Sequence, residues 1–112
     1  MPTRVYSRPF ISKQGASAPE TVVVPAGHVW VVKMITSYAN PAFGSITVAF
    51  RNFTTGCLHW RHETALLTHH DEQVPLTIAF LQGEEFGFSI GTFVGDSADV
   101  FAGGYDLLMP SS

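Results

Sequence analysis

The stretch SITVAFRNF, residues 45–53, decides the fold class, because its apolar side chains occupy every second position. Apolar Ile46, Val48 and Phe50 alternate there with mostly polar residues. A period of two places the apolar side chains on one face of a β-strand, so the stretch predicts a half-buried strand. Residues 74–81 (VPLTIAFL) repeat the pattern with Val74, Leu76, Ile78 and Phe80.

Further alternating stretches cover residues 85–90, 98–102 and 105–109. Glycine and proline punctuate the chain between them, at Pro25-Ala26-Gly27, Asn40-Pro41, Thr54-Thr55-Gly56, Gln82-Gly83-Glu84, Gly95-Asp96 and Gly103-Gly104. Short strands separated by such turns are typical of antiparallel sandwiches and barrels. We therefore predict an all-β protein, a single antiparallel β-sandwich or jelly-roll-like domain of about eight strands.

The predicted sandwich covers residues 20–112. Residues 12–19 (SKQGASAP) are small and polar, which predicts a linker or loop. Residues 1–11 are then either a separable N-terminal arm or the first strand of the domain. Residues 63–73 lack the alternation and are predicted to be a loop, with at most one helical turn.

The segment Val29–Tyr38 is apolar on both faces. Strict alternation would place Trp30, Val32 and Met34 on one face, and Val31 and Ile35 on the other. Such a strand is either a central strand covered on both sides or a strand that faces a neighbouring subunit.

Charged residues make up only 13% of the 112 residues, against about 25% in ordinary soluble domains. A small domain with so few charges is easier to keep in solution if other subunits cover part of its surface, so we expect a homo-oligomer. The net charge of −3 and the scattered basic residues indicate no nucleic-acid partner and no membrane partner. The first residues show no signal peptide, which predicts synthesis in a cytoplasm.

Two groups of side chains are candidates for an interface. Phe43, Phe53 and Phe93 lie near predicted turns, where an exposed ring can anchor a partner. Arg4, Tyr6, Arg8 and Phe10 lie in the N-terminal segment, which could add as a strand to the sheet edge of a neighbour.

No constellation of residues in the sequence predicts catalysis, so we expect no enzyme, no catalytic residues, no cofactor and no metal site. The adjacent carboxylates Glu84 and Glu85 would point to opposite faces of a strand. The same parity separates His59 from His62, and neither the zincin motif nor the His-x-His motif of cupins occurs. A cupin-like metal-binding enzyme stays the alternative, with ligands drawn from His28, His59, His62, His69 and His70.

Three segments together carry a resemblance: VVPAGHVWVVK at residues 23–33, LQGEEF at 81–86 and AGGYDL at 102–107. Their order resembles that of small β-sandwich virion proteins of tailed bacteriophages, notably minor tail proteins of phages that infect actinobacteria. The resemblance implies a non-enzymatic virion subunit, made in the host cytoplasm, whose partners are other virion proteins. A minor tail or tail-tip protein leads, and a capsid decoration protein is the alternative. A module that binds carbohydrate or a receptor, such as a host-surface glycan, belongs to a different class.

Overall fold

Residues 4–110 form eight antiparallel strands in two sheets, and the prediction of an all-β sandwich is confirmed. The computed structural model describes residues 4–110, with side chains from Ser7 onward. The strands are β1 (Arg4–Ala16), β2 (Glu20–Val23), β3 (His28–Ala39), β4 (Ile46–Asn52), β5 (Leu58–Thr64), β6 (His70–Leu81), β7 (Glu85–Gly91) and β8 (Ala98–Leu108).

The order of the strands is that of a jelly roll. Sheet A has the order β1-β8-β3-β6 and sheet B the order β2-β7-β4-β5. Successive strands mostly alternate between the two sheets, as in the double Greek key. β5 and β6 are the edge strands on the same side of the sandwich.

Aromatic rings from both sheets fill the core. Phe80 of sheet A stacks on Phe86 of sheet B at 4.0 Å between ring centroids, and Phe50 packs edge-on against both rings. Toward β1, Phe10 stacks on Trp30 at 4.5 Å. The alternating residues of β4 supply the buried Ile46, Val48 and Phe50, as the alternation predicted.

A β-bulge in β3 corrects the predicted faces of Val29–Tyr38. The register of β3 shifts between Val32 and Met34 against both of its neighbours. The extra residue reverses the phase, so Trp30 and Val32 are buried together with Ile35, whereas Met34 is exposed. Local alternation carries no signal for such an insertion.

The segments predicted to be irregular are also more regular than expected. β1 continues through residues 12–16 and pairs with β8 as far as Ala16, so only residues 17–19 of the predicted linker lie between strands. The predicted loop at residues 63–73 shortens to 65–69, because β5 ends at Thr64 and β6 begins at His70.

Gly103 and Gly104 lie within β8, where a break was predicted. They pair with Met34 and Val32, directly opposite the bulge of β3. A Cβ atom on Gly104 would overlap the carbonyl oxygen of Val31. Gly104 therefore allows the close approach of two backbones, and the glycine pair lies inside a strand instead of ending one.

Candidate functional site

Three loops meet at one end of the sandwich and expose apolar side chains there. They are the β3–β4 loop (40–45), the β5–β6 loop (65–69) and the β7–β8 loop (92–97). We call their exposed apolar residues the apolar tip: Phe43, Leu66, Leu67, Phe93 and Val94. Phe43 is 65% exposed, Phe93 61% and Val94 97%. Single exposed apolar residues are ordinary, but a group of five on neighbouring loops is typical of a contact surface.

The buried carboxylate of Asp96 holds two of these loops together. Its Oδ1 accepts a hydrogen bond from the backbone N–H of Ala42 at 2.9 Å, and its Oδ2 accepts one from Gly44 at 2.9 Å. The N–H of Phe43 lies 3.2 Å from both oxygens. Successive N–H groups around one anionic side chain fix the conformation of the β3–β4 loop.

The two phenylalanine rings of the apolar tip pack on glycines of the opposite loop. A Cβ on Gly44 would overlap the ring of Phe93, and a Cβ on Gly95 would lie 2.8 Å from the ring of Phe43. Each ring thus lies flush on the other loop's backbone, with its remaining surface exposed. The sequence prediction that Phe43 and Phe93 are exposed near turns agrees with this placement.

The β5–β6 loop joins this end through a backbone hydrogen bond from Leu67 N–H to the Pro41 carbonyl at 3.0 Å. Leu67 has φ 61°, in the left-handed region that a leucine rarely adopts. The strained backbone presents a leucine side chain that is largely exposed.

The other predicted interface residues are not part of this surface. Phe53 follows β4 at the opposite end of the sandwich and is half-buried, with its N–H donating to the Glu85 carbonyl at 2.7 Å. Phe10 is buried in the core, because β1 pairs with β8 and directs this ring onto Trp30. The sequence analysis named Phe10 as an interface candidate, whereas the structure places its ring in the core.

Arg8 covers the edge of that aromatic stack. Its guanidinium lies 5.1 Å from the Trp30 ring centroid and 3.6 Å from the Asp106 carboxylate. The side chains of Arg4 and Tyr6 lie outside the described residues, although their backbones pair with Leu108 and Asp106 of β8.

A second apolar surface is the outer face of sheet A. Met34 of β3, Leu81 of β6 and Tyr105 of β8 are exposed on it, beside the half-buried Val29 and Val31. The sheet has no covering layer in the described part of the chain, residues 4–110. Val29–Tyr38 is therefore not covered on both sides within residues 4–110. The other interpretation, that this strand faces a neighbouring subunit, is compatible with the structure.

The histidines divide into separate environments. His28 Nδ1 lies 2.6 Å from the Oδ1 of buried Asp106. His59 contacts the rings of Phe50 and Phe80, and His69 contacts Tyr38. These three are accounted for by contacts within the fold.

The remaining two histidines meet at the edge of the sandwich where β5 and β6 face each other. The rings of His62 and His70 stack at 3.6 Å between centroids with 13° between their planes. Burial first, and then the neighbouring His62, lowers the pKa of His70, although Glu72 and Asp71 oppose the shift. The prediction from strand parity that His59 and His62 face opposite sides was wrong, because the register of β5 skips His59 in a β-bulge. The His59 ring contacts the core rings of Phe50 and Phe80, on the same inner side as Trp60 and His62, although His59 is not part of the His62–His70 stack. The approach of His62 to His70 depends on the order of the strands.

Comparisons with known proteins find a structural similarity and no sequence relative. No protein-family model and no curated protein matches the sequence. Over 97% of its length the chain is similar to part of a chain in the structure of the infectious bursal disease virus Gx strain, with a TM-score of 0.43 and 11% sequence identity. The chain spans 33% of that longer chain. The resemblance to tailed-phage virion proteins therefore stays a hypothesis.

Within residues 4–110, no helix is present that is long and apolar enough to cross a membrane.

Proposed function

We propose that this chain is a non-enzymatic structural subunit of a bacteriophage virion, a minor tail or tail-tip protein that forms a homo-oligomer and contacts other virion proteins. The observation that carries the proposal is the apolar tip. Five exposed apolar side chains lie on three loops that buried Asp96 and the backbone hydrogen bond of Leu67 hold in place. A rigid apolar surface loses little conformational entropy when a partner covers it.

The rest of the molecule supports an assembly role. Only 13% of the residues are charged, and the outer face of sheet A adds a second uncovered apolar area. Jelly rolls recur in viral capsid domains, but they also recur in lectins and cupins, so the fold favours no single function. The phage assignment comes from the order of the segments quoted above.

The oligomeric state of the chain in solution tests the assembly part of the proposal. Size-exclusion chromatography with light scattering should give a defined oligomer for the natural chain and a smaller species for the double variant Phe43→Ser/Phe93→Ser. The matched control is Leu58→Ser, which makes the same kind of change to an exposed apolar residue at the other end of the sandwich. A natural chain that is monomeric throughout would contradict assembly through the apolar tip.

Analysis of purified virions tests whether the chain is a virion protein and where it lies. Mass spectrometry of purified particles should find the chain at a constant copy number, and antibody labelling should place it on the tail for a tail protein or over the head for a decoration protein. Particles that lack the chain would refute the virion proposal.

A glycan-binding module is the second candidate, because Phe43 and Phe93 each expose a ring face on which a sugar could stack. Binding on a glycan array that Phe93→Ser abolishes, from a chain that does not form oligomers, would favour it over the structural subunit.

A further inference from the structure

The side of the sandwich formed by β5 and β6 brings together three side chains that can bind a metal ion. His62 extends from β5, the edge strand of sheet B, and His70 and Glu72 extend from β6, the edge strand of sheet A. The imidazole nitrogens and carboxylate oxygens that they offer lie within 4.8 Å of one another. None of the three takes part in the apolar tip.

One nitrogen in this group lacks a partner. His70 Nε2 is buried, and among the described residues no group makes a hydrogen bond with it. Glu72 Oε1 lies 3.4 Å from it, without the geometry of a hydrogen bond. Buried polar nitrogens normally find a partner, so an unpartnered one beside a carboxylate and a second imidazole suggests a place for an ion.

The types of ligand atom also suit a metal. A metal ion binds the lone pair on the ring nitrogen of a neutral imidazole. The carboxylate of Glu72 is 43% exposed, so it can move toward an ion without loss of packing.

We propose that His62, His70 and Glu72 bind a divalent transition-metal ion, with Zn²⁺ the best match, and that the ion joins the edge of sheet B to the edge of sheet A. Two imidazoles and one carboxylate match the ligand preferences of Zn²⁺, whereas Ca²⁺ and Mg²⁺ prefer oxygen ligands only. Three protein ligands leave a fourth position for water or for a group from a partner.

Binding requires a small local rearrangement. Ligand atoms around tetrahedral zinc lie about 3.3 Å apart, and two parallel rings cannot direct both nitrogens at one ion. The His62 ring therefore turns out of the stack while the carboxylate of Glu72 moves inward. His62 is half-buried on an edge strand, so part of its ring faces solvent.

Titration of the untagged, chelator-treated chain with ZnCl₂ by calorimetry tests the site. We expect one Zn²⁺ per chain, and a loss of affinity of about 100-fold or more in His70→Gln and in the double variant His62→Gln/His70→Gln, since removal of a direct ligand costs more than the 10–100-fold typical of its outer partners. Glu72→Gln keeps the size of an exposed side chain and should also weaken binding. The matched control, His69→Gln, changes the adjacent, exposed histidine and should bind like the natural chain.

A fluorescence measurement locates the ion independently. Trp60 lies beside both rings, at 6.3 Å from His62 and 6.4 Å from His70, whereas the other tryptophan, Trp30, is buried against Phe10. Cu²⁺ binds nitrogen ligands more tightly than Zn²⁺ and quenches nearby tryptophans. One equivalent should quench the natural chain strongly and Trp60→Phe weakly.

Two outcomes would overturn the proposal: no stoichiometric binding by the natural chain, or equal affinity in the double variant. An equal loss of affinity in His69→Gln would do so as well, because binding would then be a property of scattered surface histidines. Oligomer formation is measured without metal, so a failure here leaves the proposed virion role unaffected.

Discussion

At the scale of single residues, Asp96 connects the sequence to the candidate interaction surface. Its position in Gly95-Asp96 predicted a turn, yet its carboxylate is buried and accepts hydrogen bonds from three successive backbone N–H groups of another loop. A buried charge is stable only when it is well hydrogen-bonded. Asp96 therefore orders the loop that carries Phe43, and through it the apolar tip.

Asp96→Asn should destabilise the fold by about 1–3 kcal/mol, because the amide group replaces one acceptor oxygen with a donor that faces backbone N–H groups. Denaturant unfolding measures the loss. Asp99→Asn is the matched control: among the described residues, Asp99 accepts a hydrogen bond from one backbone N–H group, that of Gly15 at 2.8 Å, which the amide oxygen can still accept. Equal losses in the two variants would contradict the role assigned to Asp96.

At the scale of elements, the bulge of β3 and the glycine pair of β8 form one feature. The bulge brings the backbone of β3 so close to β8 that a Cβ on Gly104 would overlap Val31 O and lie 2.8 Å from Lys33 N. Both contacts are with backbone atoms, which cannot move away by changing a rotamer. The feature sets which side chains of β3 enter the core.

Gly104→Ala should therefore cost about 1–3 kcal/mol or more through overpacking, measured as a lower unfolding midpoint. Gly91→Ala provides the comparison, since a Cβ on Gly91 would meet no atom within 4 Å. That substitution should change the stability by less than about 1 kcal/mol. If Gly104→Ala left the unfolding midpoint unchanged, the two strands could move apart at the bulge with little loss of stability.

Sequence reasoning predicted the elements well where the period of two is unbroken, as in β4 and in residues 74–80 of β6. It could not predict the bulge of β3, because an inserted residue leaves the composition unchanged and only alters which strand atoms pair. The pairing of His62 with His70 depends on strand order. One signal was available: His70 and Glu72 continue the parity of Val74, Leu76 and Ile78, so the alternation of β6 places them toward the sandwich interior.

For the molecule as a whole, the pairing of β1 indicates that the first residues are a part of the domain and not a separate arm. It pairs with β8 from Arg4 to Ala16, and it contributes the buried residues Phe10, Ile11 and Ala16 to the core. An arm that is separate from the domain could move away and leave the core intact. Here the ring of Phe10 packs against the rings of Trp30 and Phe86, and its removal would leave a cavity.

Phe10→Ala should accordingly destabilise the isolated chain by about 3–5 kcal/mol, the range for a buried phenylalanine. Thermal and denaturant unfolding measure this loss, and it should not depend on protein concentration, because the ring packs within its own chain. Ser12→Ala, an exposed position on the same strand, should change the stability by less than about 0.5 kcal/mol. If Phe10→Ala left the monomer as stable as the natural chain and weakened only its oligomers, β1 would be an exchanged arm. The strand order β1-β8-β3-β6 would then describe a contact between subunits.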